Sequence, residues 1–152
     1  MTQRVDLATV MDRLTIDELV SRYAVAVDDG DWSAYRALFA PEGRADYRSS
    51  GGIEGPAAEV ADWLAEAMGL FPVRQHLIVN RLLDIQDLGG YPGDRAEVQA
   101  DYVNPMQLES GDDFVSGGRY TFSLVRLDAG WRLRTVVINE KWRRAAGALG
   151  GA

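Results

Sequence analysis

The stretch Tyr23-Ala24-Val25-Ala26-Val27-Asp28-Asp29-Gly30-Asp31-Trp32 sets the frame for the rest of the chain. Upstream of it, Ile16, Leu19, Val20, Tyr23 and Val27 recur at helical spacing, which predicts a helix with one buried face. Thr15-Ile16-Asp17-Glu18 has the form of a capping box, so Thr15 is the expected N-cap. Residues 5–14 then read as a separate short helix or as a continuation. Gly30 suits the position just past the helix end, where left-handed backbone is needed. Asp31 can cap a second helix, Trp32 to Phe39, which Pro41 stops. Acids at a helix C-terminus oppose the macrodipole by about 0.3–1 kcal/mol each. Asp28 and Asp29 stand there together. They are either a solvated acidic end or a sign that one of them has a partner.

Working outward, residues 44–48 read as a short strand and the Ser-Ser-Gly-Gly run at 49–52 as a flexible loop. Gly55-Pro56 opens a third helix with Pro56 at its first position. Val60, Trp63, Leu64, Ala67 and Met68 form its apolar stripe, and Gly69 and Pro72 close it. From Arg74 the period becomes that of strands: 74–86, 95–108, 114–127 and 131–140. Residues 88–94 form a turn region, and Asp128-Ala129-Gly130 joins the last two strands as a hairpin. The Ala/Gly-rich tail, 143–152, is expected to fray. Three helices followed by long antiparallel strands predict an α+β fold, a curved sheet wrapped around the N-terminal helices. The interior glycines Gly117 and Gly118 suggest strong bending. A cone-shaped sheet with helices over it holds a pocket.

The 152 residues fit one domain, taken as 1–152 with its core at about 14–142. Hydrophobic residues make up 47%, enough for a real core. The absence of cysteine excludes disulfides and thiolate chemistry, and a single histidine excludes a His-rich metal site. No metal site is expected. The net charge of -7 disfavours nucleic acid and anionic membrane as partners. The first residues lack a signal-peptide apolar core, and no apolar run is long enough to span a bilayer, so a cytoplasmic location is the default expectation.

The lone histidine, His76, lies in Gln75-His76-Leu77-Ile78-Val79-Asn80. As a strand this puts His76, Ile78, Asn80 and Leu82 on one mixed face, as a pocket lining would be. Imidazole has the unperturbed pKa nearest neutrality and is the natural proton-transfer group. A carboxylate on Nδ1–H would fix its tautomer and leave Nε2 as a base. Asp28 is the candidate; the alternative is a structural histidine satisfied by backbone. Tyr23 and Tyr47 carry phenols able to polarise a carbonyl or protonate a leaving hydroxyl, though Tyr23 also fits as a core residue. Val27, Trp63, Met68, Phe71, Met106, Tyr120, Phe122 and Trp142 are candidates for an apolar lining, or plain core. Arg119, Arg126, Arg132 and Arg134 read as the sheet's solvent face. No nucleophile elbow, Gly-x-Gly-x-x-Gly or P-loop lysine is present.

The sequence from Tyr23 to Trp32, then Leu38-Phe39-Ala40-Pro41, Ala45-Asp46-Tyr47-Arg48-Ser49, Gln75-His76 and Gly130-Trp131-Arg132, resembles the SnoaL-like branch of the nuclear-transport-factor-2-like superfamily. Within it the pattern is similar to scytalone dehydratase and bile acid 7α-dehydratase. The resemblance implies a cone-shaped, cystatin-like α+β barrel around a deep apolar pocket. It implies enzymes that work without cofactors through an Asp–His pair assisted by a tyrosine. The pair falls on Asp28 and His76, and the tyrosine on Tyr23 or Tyr47. Departures are Val27, where scytalone dehydratase has a tyrosine, and Met106, Gly118 and Tyr120, where it has further polar pocket residues. Scytalone itself is therefore not the expected substrate.

The resemblance implies a dehydratase-like lyase or isomerase acting on an apolar hydroxylated carbonyl compound of steroid, terpenoid or polyketide type. It also fits an aldol-type polyketide cyclase, or a non-catalytic small-molecule-binding or subunit-assembly domain. The implied partners are a small apolar substrate and a second or third copy of the chain, as a homodimer or homotrimer.

Overall fold

The structure is a computed structural model and describes residues 6–86 and 89–145. Its first element, α1 (Leu7–Asp29), is one continuous helix rather than two. Asp6 is its N-cap, accepting from the backbone N–H of Thr9 at 2.9 Å. Thr15, expected as the cap, sits mid-helix and returns its hydroxyl to the Met11 carbonyl at 2.9 Å. Nothing between Leu7 and Leu14 breaks a helix, and that back-bond satisfies the threonine without a chain end. Ile16, Leu19, Val20, Tyr23 and Val27 form the buried face, as their spacing requires.

Gly30 ends α1 at φ 66, and Asp31 caps α2 (Trp32–Ala37) by accepting from Ala34 N–H at 3.0 Å. The second helix is shorter than expected, because Phe39 already belongs to β1 (Phe39–Asp46). Leu133 N–H donates to the Leu38 carbonyl at 2.7 Å and draws the chain into the sheet there. Pro41 stops no helix. It lies in β1 between Phe39 and Arg44, where the register against the neighbouring strand slips and no ladder donor is required. The strand ends at Asp46, and Arg48–Ser50 form a 3-10 turn. After β2 (Glu54–Pro56), Pro56 stands at the N-cap of α3 (Ala57–Met68), one position before the expected one.

The remaining chain forms β3 (Val73–Arg74), β4 (Leu77–Gln86), β5 (Arg95–Gln107), β6 (Asp113–Leu127) and β7 (Gly130–Ala145). The sheet order is β2-β1-β7-β6-β5-β3, with β4 also on β5. The pairings are antiparallel except β1 with β7, which is parallel and corrects the expectation of a purely antiparallel sheet. The sheet curls into a half-barrel over the helices. Gly117 and Gly118 mark a slip in the β6–β7 register, as their bending role predicts. A Cβ on Gly118 would stand 2.1 Å from the Asn139 carbonyl oxygen, so only glycine permits this approach. β7 runs in register to Ala145, so 143–145 are not frayed; the rest of the expected tail, like Leu88 of the expected turn, lies outside the described residues. Among the described residues no helix is long and apolar enough to cross a membrane.

Candidate active site

The strand expected from 74 to 86 is interrupted where it matters. β3 stops at Arg74 and β4 starts at Leu77. In the gap, Gln75 N–H still reaches the Pro105 carbonyl of β5 at 3.1 Å. The N–H of His76 turns instead to the Asp28 carboxylate, 2.9 Å from Oδ1 and 3.0 Å from Oδ2. Oδ1 also lies 2.6 Å from His76 Nδ1. One carboxylate in the last turn of α1 therefore holds both the backbone and the ring. An ionised carboxylate only accepts, so Nδ1 carries the hydrogen and Nε2 is the acceptor. The imidazole is 7% exposed and lines a cavity of about 290 Å³.

Arg74 supports this arrangement from beneath. Its Nε donates to the Val27 carbonyl at 3.1 Å, and its Nη1 to those of Met68 and Phe71 at 3.0 and 3.1 Å. A cation thus covers the carbonyl ends of α1 and α3 and offsets the acids there. A Cβ on Gly30 would come within 2.9 Å of Arg74 Nη2, so that position needs glycine for space as well as for φ.

Tyr23, Tyr47 and Tyr120 also line the cavity, and the hydroxyls of Tyr23 and Tyr47 belong to one buried network with that of Tyr35. Tyr47 Oη is 2.5 Å from that of Tyr23 and 2.8 Å from that of Tyr35. Tyr120 packs edge-on against Tyr23, with ring centroids 5.7 Å apart. Burial pushes all four phenols above their ordinary value, so they stay protonated. Each of the two bonds at Tyr47 Oη can run in either direction, because a phenol both donates and accepts. Tyr35, wholly buried, has Tyr47 as its partner. Tyr47 is thus held from two sides in the cavity wall.

Val27, Trp63, Met68, Phe71 and Met106 line the same cavity, as expected. Phe122 and Trp142 do not. Phe122 is fully buried behind the lining, with its ring centroid 5.3 Å from that of Tyr23 and 5.2 Å from that of Tyr120. Trp142 is 44% exposed and packs over the bare backbone of Gly117. Asn80 and Leu82 also leave the expected face. Asn80 takes φ 49 within a slip of the β4–β5 register, and Leu82 is turned out to 67% exposure. Asp46 bonds Arg48 at 3.0 Å and 2.8 Å outside the cavity lining. Among the described residues no group of His, Asp and Glu is placed to hold a metal ion.

A model of the family described as SnoaL-like domain matches residues 8–137. The chain belongs to that family. An uncharacterized protein of Mycobacterium tuberculosis is 31% identical over 129 residues, 84% of each chain. A hexachlorocyclohexane dehydrochlorinase of Novosphingobium barchaimii superposes with a TM-score of 0.75 at 16% identity, covering 91% of this chain and 95% of that one. A protein of Novosphingobium aromaticivorans provisionally named scytalone dehydratase gives 0.74 at 17% identity, covering 94% and 96%. At such identities the structural matches speak for the fold, the cystatin-like α+β half-barrel that the resemblance implied.

Several residues at the site of this SnoaL-like domain escaped the sequence reading. Tyr35 does not line the cavity but fixes Tyr47, and only contact reveals it. Asn104 and Ser116 share strand parity with Met106 and Tyr120, so the period-two pattern could have found them. Arg143 was assigned to the tail, yet it pairs with Glu140 at 3.0 Å and donates to the Ser50 carbonyl at 2.9 Å at the cavity's edge.

Proposed function

We propose that this SnoaL-like domain is a cofactor-independent lyase or isomerase acting on an apolar ring compound that carries a carbonyl and a hydroxyl, of steroid, terpenoid or polyketide type. The observation that carries the reading is the Asp28 carboxylate gripping both His76 N–H and His76 Nδ1 in the wall of an apolar cavity. His76 Nε2 takes a proton from the carbon α, or vinylogous, to the carbonyl. The electrons of that C–H bond move onto the carbonyl oxygen, where the Tyr47 O–H donates. In elimination they return to break the C–O bond of the β-hydroxyl, which leaves as water with the proton from His76. In isomerisation the proton goes back to another carbon. Asp28 holds the tautomer and balances the transient imidazolium charge. The apolar walls strengthen both interactions.

Two solved structures of the same fold support an elimination: one is named for loss of hydrogen chloride and one, provisionally, for loss of water. The test is turnover on hydroxylated ring ketones, scored by loss of one water or by unchanged mass. Asp28→Asn and His76→Ala are each expected to lower kcat by about 10²–10⁴-fold, the usual worth of positioned acid–base catalysis. Turnover unchanged by either substitution refutes the proposal.

A further inference from the structure

We propose that Asn104 selects the substrate: its Oδ1 accepts a hydrogen bond from a hydroxyl that the substrate keeps, beside the carbon that faces His76. The inference rests on the role given to His76 above and narrows the substrate class.

Asn104 is 3% exposed and lines the cavity, and its Oδ1 has no partner among the described residues. A buried acceptor left unpaired costs about 1–3 kcal/mol, and native folds keep few of them. The hydroxyl of Tyr102 is also unpartnered, but Tyr102 is not part of the lining, so the cavity gives it no ligand.

The sheet places Asn104 next to the reactive nitrogen. Arg74 pairs with Met106 and Leu77 with Val103, so His76 stands at the register position opposite Asn104. Asn104 pairs in turn with Ser116, and Ser116 with Arg143. His76, in the gap before β4, thus heads a polar row that continues through Asn104 on β5, Ser116 on β6 and Arg143 on β7 in the lining of a mostly apolar cavity. A ligand with a carbon at His76 therefore has its neighbouring atoms beside Asn104.

In this reading the substrate meets two polar groups, one at each of its own ends. The Tyr47 phenol can donate, so it suits the oxygen that gains charge. Asn104 Oδ1 only accepts, so it neither binds a carbonyl nor assists a departing hydroxyl. It fits a hydroxyl retained through the reaction. A substrate satisfying both ends is polyoxygenated, with a carbonyl and a retained hydroxyl on one or two rings. That chemistry is closer to a polyketide or phenolic ring than to a terpenoid bearing a single oxygen.

The test measures binding, not turnover. Matched pairs of hydroxylated one- and two-ring ketones and their methyl ethers, beginning with hydroxytetralones and methoxytetralones, are titrated into the protein. A site built to meet a hydroxyl rejects the analogue lacking the donor, and the hydroxy compounds are expected to bind at least about tenfold more tightly. Asn104→Leu is expected to bring each pair to within about twofold. In the wild-type protein the Asn104 side-chain amide resonances should move with the hydroxy member of a pair and stay in place with the ether, a readout that needs no variant. Equal affinities, a preference that survives Asn104→Leu, or no binding by any hydroxy member of the panel overturns the inference. A hydroxyl preference with an inert Asp28–His76 pair would remove the proposed reaction alone. A working pair without that preference would remove this inference alone.

Discussion

Tyr47 is the residue on which the cavity's polarity turns. It is hydrogen-bonded to both Tyr23 and Tyr35 and lines the cavity. Linked hydroxyls polarise one another, which strengthens the donation proposed from Tyr47 to the substrate oxygen. Tyr47→Phe is therefore expected to lower kcat on a ketone substrate by about 10²-fold or more, the scale of a lost oxyanion donor. Tyr35→Phe removes one supporting bond, worth about 1 kcal/mol, and should cost only about fivefold. Steady-state kinetics of the two variants side by side check the ranking. Burial holds the Tyr47 phenol well above its ordinary value of 10.0, so donation persists into alkaline solution and no activity loss from its ionisation is expected below pH 10.0.

Among the elements, legibility followed the strength of the local signal. The buried stripe of α1, its glycine end and the Asp31 cap were readable, because each depends on residues within a few positions. The false start at Thr15 shows the limit of a capping motif: Ser or Thr followed by Glu fits a helix interior when the hydroxyl bonds back one turn. Pro41 misled for a related reason, since a proline that ends helices also fits a register slip in a strand. The break between β3 and β4 was invisible locally. It exists because Asp28, 48 positions away, competes with the ladder for the His76 N–H. The pairing of Asp28 with His76 was proposed from a lone imidazole, an unexplained acid and a family resemblance. The Tyr35 contact and the Asn104 orphan acceptor arise only when the sheet curls.

At the scale of the whole molecule, the long helix is tied to the sheet at its far end by a cluster the sequence reading assigned to solvent. Arg126 on β6 bonds Asp12 of α1 at 3.1 Å and 2.6 Å and Asp94 at 3.0 Å, and lies 4.5 Å from the Trp131 ring. Its side chain is 16% exposed. The Arg126 hydrogen bonds hold the Asp12 carboxyl below its ordinary 3.8. A lowered folded-state value means stability that is present above the unfolded value and lost as pH falls through the folded one. Arg126→Leu is thus expected to destabilise by about 2 kcal/mol at neutral pH, somewhat under the cost of breaking a fully buried pair. The difference should shrink once the pH falls below 3.8. Urea unfolding of both proteins at neutral and acid pH reads it directly.

The central claim is that Asp28 makes His76 a base with Nε2 turned to the cavity. Nitrogen-15 NMR tests it most directly, because the chain has one histidine and its ring signals need no assignment. Wild type and Asp28→Asn are compared in alkaline solution, where the ring is neutral. The expected result is hydrogen on Nδ1 in the wild type, with a shift toward the Nε2–H tautomer when Asn replaces Asp28. A wild-type ring protonated on Nε2, or a tautomer indifferent to Asp28→Asn, would contradict it.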